Sequence, residues 1–223
     1  MNGSRFLLLA LLLGPVVAGC DSTRQITISS EPAGAFIQID GQNAGNAPIS
    51  QTFDFGSKYT FVIAGSMTGY FTEEYVLTKR SPAVRTLEIR LVLAEDEAWK
   101  ATTTSEATNA WLRIQVDTKL TPEAMWQKLI DAVTGAYSSL EQMDPSSGYI
   151  RSVATVRKFR SPKGQFSVRT RFTGSVAQKE PLLYKLKIEA EISTNGGDWS
   201  PYSRVFKEDE ALIEELQSRL GTK

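Results

Sequence analysis

Residues 26–41, ITISSEPAGAFIQIDG, contain two short runs in which apolar and polar side chains alternate. A period of two turns one face of a strand toward a core and the other toward solvent. Pro32 and Gly34 separate the runs, and the second run ends in Asp40-Gly41, a dipeptide favoured in two-residue hairpin turns that require positive φ. The stretch therefore predicts two β-strands and a tight turn.

The same pattern continues to about residue 94. Further β-like runs follow, among them KYTFVIAG (58–65), EEYVLT (73–78) and VRTLEIRLVL (84–93), and glycines mark turns between them. No helical period intervenes, so residues 25–94 are expected to form a small all-β unit, either a sandwich or a partly open barrel.

The order of these turn residues resembles the PEGA domain family. The resemblance rests on residues 26–35 and 37–41, then on Gly45-Asn46-Ala47-Pro48, Tyr59-Thr60-Phe61 and Gly69-Tyr70, and covers roughly a third of the chain. The chain departs from the family at Pro32-Ala33-Gly34-Ala35, which has alanine where the family often has glutamate. The resemblance implies a small β-sandwich of bacterial envelope proteins and implies no chemistry.

A second unit, residues 110–221, is predicted to be α+β. Residues 111–117 alternate as a strand, Thr121-Pro122 is typical of a helix start, and apolar spacing extends the helix to about 138–143. Three β segments follow, with turns at 161–164 and 195–197, and a last helix begins near Asp209. This order predicts a two-layer domain, an antiparallel sheet with helices on one face. Only its architecture is similar to helix-grip and two-layer α/β lipoprotein domains.

Residues 95–109 separate the two units. They are acidic at first, then rich in Thr, Ser and Ala, with no sustained apolar period. Such a composition buries too little apolar surface to fold alone, so a linker is expected. Trp99 is the exception, and it is expected to dock on one of the two domains.

The N-terminus carries the only cysteine, Cys20. Residues 1–5 contain one positive charge, residues 6–17 (FLLLALLLGPVV) are apolar, and Ala18-Gly19 precede the cysteine. A membrane-spanning helix needs roughly 20 apolar residues, so the block matches a secretory signal better. Val17-Ala18-Gly19-Cys20 resembles the lipobox of bacterial lipoproteins. The resemblance implies removal of residues 1–19, lipidation of Cys20, for instance with palmitate, and a lipidated tether at residues 20–24.

Lipidation implies an extracytoplasmic, periplasm-facing protein on the cell membrane or the outer membrane. Asp21 follows the cysteine and resembles an inner-membrane retention signal of one well-known sorting system. Because that sorting rule varies between lineages, both the cell membrane and the outer membrane remain candidates for the anchor. The chain has no histidine, which excludes imidazole metal sites and histidine-based catalytic triads. Once Cys20 is acylated no free thiol remains, which excludes thiolate chemistry. No cofactor and no metal site is indicated. Twenty-four basic and 25 acidic residues remain after Arg5 is removed, so no global field favours nucleic acid.

Residues 151–171 contain seven basic residues and no acidic one. Arg157, Lys158, Arg160 and Lys163 cluster near the predicted turn and are the candidate anion- or partner-binding residues. The alternative is a solvated strand face on which Glu189 and Glu191 of the next strand pair with Arg169 and Arg171. Trp126, Tyr137, Trp199 and Tyr202 are expected to pack in the core or between sheet and helices.

Three functions follow, the first of which the sequence favours. The first is a non-enzymatic membrane-anchored scaffold or assembly factor with an envelope protein as partner. The second is a binding module that holds an anionic envelope glycan or lipid through the basic stretch. The third, a hydrolase that uses Glu189 and Glu191, is disfavoured because these carboxylates lie among lysines on a polar face.

Overall fold

The computed structural model describes residues 22–221. The lipobox, the leader and Cys20 lie outside those residues. Within them the chain is mostly β-strand, organised in several sheets, with four helices. None of these four helices is long and apolar enough to cross a bilayer.

The N-terminal unit contains two sheets. Its elements are β1 (Thr23–Glu31), β2 (Phe36–Ile39), β3 (Gln42–Asn46), β4 (Ile49–Asp54), β5 (Thr60–Ser66), β6 (Glu73–Thr78), the one-turn helix α1 (Ala83–Thr86) and β7 (Glu88–Val92). The sheet orders are β4-β1-β7 and β3-β2-β5-β6. The predicted hairpin turn is confirmed, because Ile39 pairs with Gln42 and both Asp40 and Gly41 have positive φ.

One hydrophobic core lies between the two sheets. Ile26 and Ile28 of β1 and Ile37 of β2 are fully buried, which follows from the alternation in residues 26–41. The core continues to Leu93. The parallel pairing of β1 with β7, in which Thr27 lies beside Glu88, was not predicted because it joins strands about 60 residues apart.

Residues 95–109 differ from the predicted linker. They contain α2 (Glu97–Ala101) and β8 (Thr102–Thr103), and Ala98, Thr102 and Ala107 are buried. The composition of residues 95–109 did not indicate that they fold, because their buried side chains are small and pack against residues from other parts of the chain. Trp99 docks as expected, with its ring 3.7 Å from the guanidinium carbon of Arg204.

The C-terminal unit contains a seven-stranded sheet and two long helices. Its elements are β9 (Leu112–Gln115), α3 (Pro122–Ala136), β10 (Leu140–Asp144), β11 (Tyr149–Ser152), β12 (Thr155–Ser161), β13 (Gly164–Lys179), β14 (Leu182–Thr194), β15 (Ser200–Pro201), β16 (Val205–Phe206) and α4 (Lys207–Leu220). The sheet runs β10-β11-β13-β14-β15, with β12 beside β13 and β9 beside β14, while β16 pairs with β8.

Both long helices pack in one core with the large sheet. Leu129 and Val133 of α3 and Leu216 of α4 are buried in the same cluster as Phe172 and Ile188 of the sheet. Helix α3 begins as predicted, since the Thr121 hydroxyl accepts a hydrogen bond from the Ala124 amide at 3.2 Å. It ends at Ala136, earlier than predicted, because residues 140–144 form β10.

Candidate functional site

The candidate site is the face of the large sheet opposite α3 and α4. Along β13 and β14, buried residues such as Phe172 and Ile188 point to the helices, and the half-buried polar residues between them point the other way. We call this second surface the charged face. Strand alternation, register and ion pairs assign it eight cations and four carboxylates: Arg113, Arg151, Lys158, Arg160, Arg169, Arg171, Lys185 and Lys187, with Glu141, Asp144, Glu189 and Glu191.

Ion pairs order the centre of the charged face. Arg169 Nε lies 2.6 Å from Glu191 Oε2, and this cross-strand pair is the one that the sequence predicted. Arg171 lies opposite Glu189 in the register, yet its ion pair is with Glu141 Oε2 at 3.6 Å. Glu189 instead contacts Arg151 at 3.2 Å and Lys187 at 2.9 Å. The role of Glu141 was not predicted because the sequence pattern did not indicate a strand at residues 140–144.

The protonation state of Glu189 does not suit the role of a general acid. Burial by itself would raise the pKa of Glu189, but the hydrogen bond from Lys187 and the charges of Lys187, Arg151 and Arg171 outweigh it and hold the pKa below its usual value. A general acid needs a carboxyl that stays protonated near neutral pH, which requires a raised pKa. The arrangement therefore favours ion pairing.

Two tryptophans lie beside the cations of the charged face. The Arg169 guanidinium carbon is 4.1 Å from the Trp199 ring, and the Lys185 and Lys187 ammonium groups are 4.8 and 5.0 Å from the Trp111 ring. Trp111 is 45% exposed. Trp199 thus contacts a surface cation instead of the predicted core. Ring contacts do not neutralise a cation. Arg169 and Lys187 are already paired with Glu191 and Glu189, whereas Lys185 has no carboxylate partner among the described residues and remains available to an anion.

A shallow recess of about 280 Å³ lies in the middle of the charged face. Four cations line it, Arg151, Arg169, Arg171 and Lys187, together with the carboxylates of Glu189 and Glu191. Arg171 Nε is buried without a hydrogen-bond partner among the described residues, and Arg151 Nε lies 3.5 Å from Glu141 Oε2. Both atoms are closed to solvent, so what the recess offers an acidic group of a partner is its local excess of positive charge.

The structure separates the four basic residues that the sequence grouped. Lys158 and Arg160 are exposed on the charged face. Arg157 points to the opposite side, where its guanidinium carbon lies 4.3 Å from the Phe206 ring and its Nη2 3.3 Å from Glu208 Oε1. Lys163 lies in the turn between β12 and β13 and lines a different groove. Alternation along β12 explains the split between Arg157 and its neighbours.

Comparison with protein-family models matched residues 23–71 to the PEGA domain. The chain contains a PEGA domain. Strands β6 and β7 follow the matched residues and complete the two sheets of this unit. Comparisons with curated proteins and with solved structures gave no match. Within residues 22–221, no group of three or more acidic or thiol side chains is placed to hold a metal ion.

Proposed function

We propose that this chain is a non-enzymatic envelope lipoprotein that acts as a scaffold or assembly factor. Residues 1–19 serve as the signal peptide, Cys20 carries the lipid, and the folded part lies on the periplasmic side of the cell membrane or the outer membrane. The proposal rests on the apolar leader, the lipobox-like Val17-Ala18-Gly19-Cys20 and the start of β1 at Thr23, three residues after Cys20.

The PEGA domain is proposed to act as a spacer. The anchor joins it at Thr23, the first residue of β1. Eight residues later the Glu31 carbonyl accepts a hydrogen bond from the Leu93 amide, close to the junction with α2. A strand of this length spans about 25–30 Å. The C-terminal residues, which we interpret as a two-layer α+β unit, are thereby held away from the bilayer.

The charged face is proposed to contact the partner protein. The observation that carries this proposal is the excess of eight cations over four carboxylates on a sheet surface that neither long helix covers. Such a surface is complementary to an acidic patch on another envelope protein, and charge complementarity governs the rate and specificity of association.

Cys20→Ser is expected to move the protein from the membrane fraction to the soluble fraction. Two or three acyl chains hold a protein at a bilayer, whereas the PEGA domain and C-terminal unit offer no comparable anchor. Fractionation of cells that express the wild type and the variant measures the effect. Retention of Cys20→Ser in the membrane fraction, or a wild-type mass that includes the leader and no lipid, would contradict the proposal.

The double variant Lys158→Glu/Arg160→Glu is expected to reduce crosslinking to the partner by about tenfold. It replaces two exposed cations of the charged face with carboxylates, which repel an acidic patch on the partner. Arg157 is left unchanged because its contacts with Phe206 and Glu208 support the fold. The matched control replaces the exposed Lys119 and Lys128 with glutamate. Equal crosslinking in both variants would exclude the charged face as the contact surface.

The second candidate function is a binding module for an anionic envelope glycan or lipid. Trp111 and Trp199 beside the cations favour it, since aromatic rings and guanidinium groups together suit acidic sugars. Sedimentation with anionic and neutral vesicles, and with acidic cell-wall polymer, distinguishes this function from the first. Binding that is lost in the Lys158 and Arg160 variant would support it.

A further inference from the structure

A groove of about 700 Å³ lies between the PEGA domain and the C-terminal sheet. Its apolar lining consists of Phe71 from the first unit and Pro162, Phe166, Ile192 and Tyr202 from the second. The rings of Phe71 and Phe166 meet edge to face, with centroids 6.3 Å apart. Pockets of this size at domain interfaces are frequent ligand sites.

The walls of the groove are held in place by α2. The Asp96 amide donates to the Gly69 carbonyl at 2.9 Å, which ties the start of α2 to the PEGA domain. At the other end, Arg204 Nη2 donates to the Thr102 carbonyl at 2.6 Å while its guanidinium covers Trp99. The groove is therefore bounded by ordered segments on both sides.

The rim of the groove is acidic. Glu73, Glu74 and Asp96 line it, whereas Lys163 is its single cation. Neither Glu73 nor Glu74 has a side-chain hydrogen bond or an ion pair within residues 22–221. Two carboxylates without partners beside a patch of aromatic and aliphatic side chains attract a ligand that is both cationic and apolar.

The backbone of β6 adds a directional feature. Glu73 and Glu74 are its first residues, and β6 is the outermost strand of its sheet. The Ser81 hydroxyl accepts from the Thr78 amide and donates to the Val76 carbonyl at the far end of this strand, so an extended segment can pair only with the part of the edge near Glu73 and Glu74. Strand addition of this kind supplies main-chain hydrogen bonds while pockets select side chains.

We propose that this groove binds an extended segment of a partner protein in which lysine or arginine flanks an aromatic or aliphatic side chain. The apolar side chain packs against Phe166 and Ile192, and the cations pair with Glu73 and Glu74. This site is distinct from the charged face, which attracts the opposite charge.

Peptide display against the full chain in detergent micelles tests the proposal. A random-peptide library is selected for binding to the wild type and counter-selected against the Glu73→Lys/Glu74→Lys variant. The peptide that binds most tightly is then synthesised for calorimetry. We expect enriched peptides to combine lysine or arginine with an aromatic or aliphatic residue, and to bind the double variant at least about tenfold more weakly. The control Glu88→Lys/Glu123→Lys changes net charge equally at exposed sites outside the groove and is expected to bind like wild type.

Failure to enrich any peptide on the wild type, enrichment of acidic peptides, or equal binding to the two double variants would overturn the proposal. Light scattering of the same samples tests whether the groove instead binds a second copy of the chain. A dimer of the wild type that dissociates in Glu73→Lys/Glu74→Lys would identify a second copy as the occupant and would equally overturn it.

Discussion

Gly174→Ala is expected to lower the free energy of unfolding by about 2–4 kcal/mol, through overpacking and the loss of a buried hydrogen bond. A Cβ atom at position 174 would lie 2.4 Å from the Tyr184 hydroxyl oxygen and 2.8 Å from its ring. Tyr184 is fully buried, and its hydroxyl donates to the Gly148 carbonyl at 3.0 Å. The ring therefore cannot move away without breaking that hydrogen bond inside the core. Urea denaturation of wild type and variant measures the loss.

Gly135→Ala provides the matched control. Gly135 lies in α3, and apart from its chain neighbours and the backbone of its own helix no atom lies within 4 Å of the Cβ position. Alanine there is expected to stabilise the helix by up to about 1 kcal/mol, because glycine is the weaker helix former. An unchanged denaturation midpoint for Gly174→Ala would show that the Tyr184 ring relocates freely and would contradict the packing described here.

Tyr137→Phe is expected to lower the free energy of unfolding by about 1–3 kcal/mol near neutral pH, because it leaves a buried carboxylate without one of its donors. The Tyr137 hydroxyl donates to Asp209 Oδ1 at 2.6 Å, and the Phe206 amide donates to Oδ2 at 3.1 Å. Asp209 is only 5% exposed, so water cannot replace the lost donor. Chemical denaturation at about pH 7 gives the size of the effect.

The penalty of Tyr137→Phe is expected to depend on pH. Burial raises the pKa of Asp209, although the hydrogen bonds from Tyr137 and Phe206 oppose the rise. A carboxyl with a raised folded-state pKa binds its proton more tightly in the folded state, so its contribution to stability falls as the pH rises through that pKa. Removing the Tyr137 hydroxyl raises the pKa of Asp209 further and extends this fall to higher pH. The penalty should be smaller at about pH 4 than at about pH 7.

The variant Asp209→Asn distinguishes the titration of Asp209 from that of the other ionisable groups in the protein. In that background, Tyr137→Phe is expected to cost the same at both pH values, since position 209 no longer titrates. Equal penalties at the two pH values in the Asp209 background would show instead that the carboxyl is ionised throughout the range.

The charged face was only partly accessible to sequence reasoning. Alternation placed Arg169 and Arg171 on one side of β13 and Glu189 and Glu191 on one side of β14, and the pair between Arg169 and Glu191 is present. The contributions of Trp111 and Glu141 were missed. Both depend on strand neighbours, and the strand neighbours of a sheet are chosen by packing between segments far apart in the chain.

Local pattern determined the strands of residues 26–41, the hairpin turn at Asp40-Gly41, the start of α3 at Thr121 and the β-rich character of the chain, because each depends on neighbouring residues alone. Tertiary structure decided the parallel pairing of β1 with β7, the folding of residues 95–109, the separation of Arg157 from Lys158 and Arg160, and the acidic groove between the two units. These features join segments tens of residues apart. The free energy of such contacts comes from apolar surface that two distant segments bury against each other, and the pattern of either segment alone does not indicate its partner.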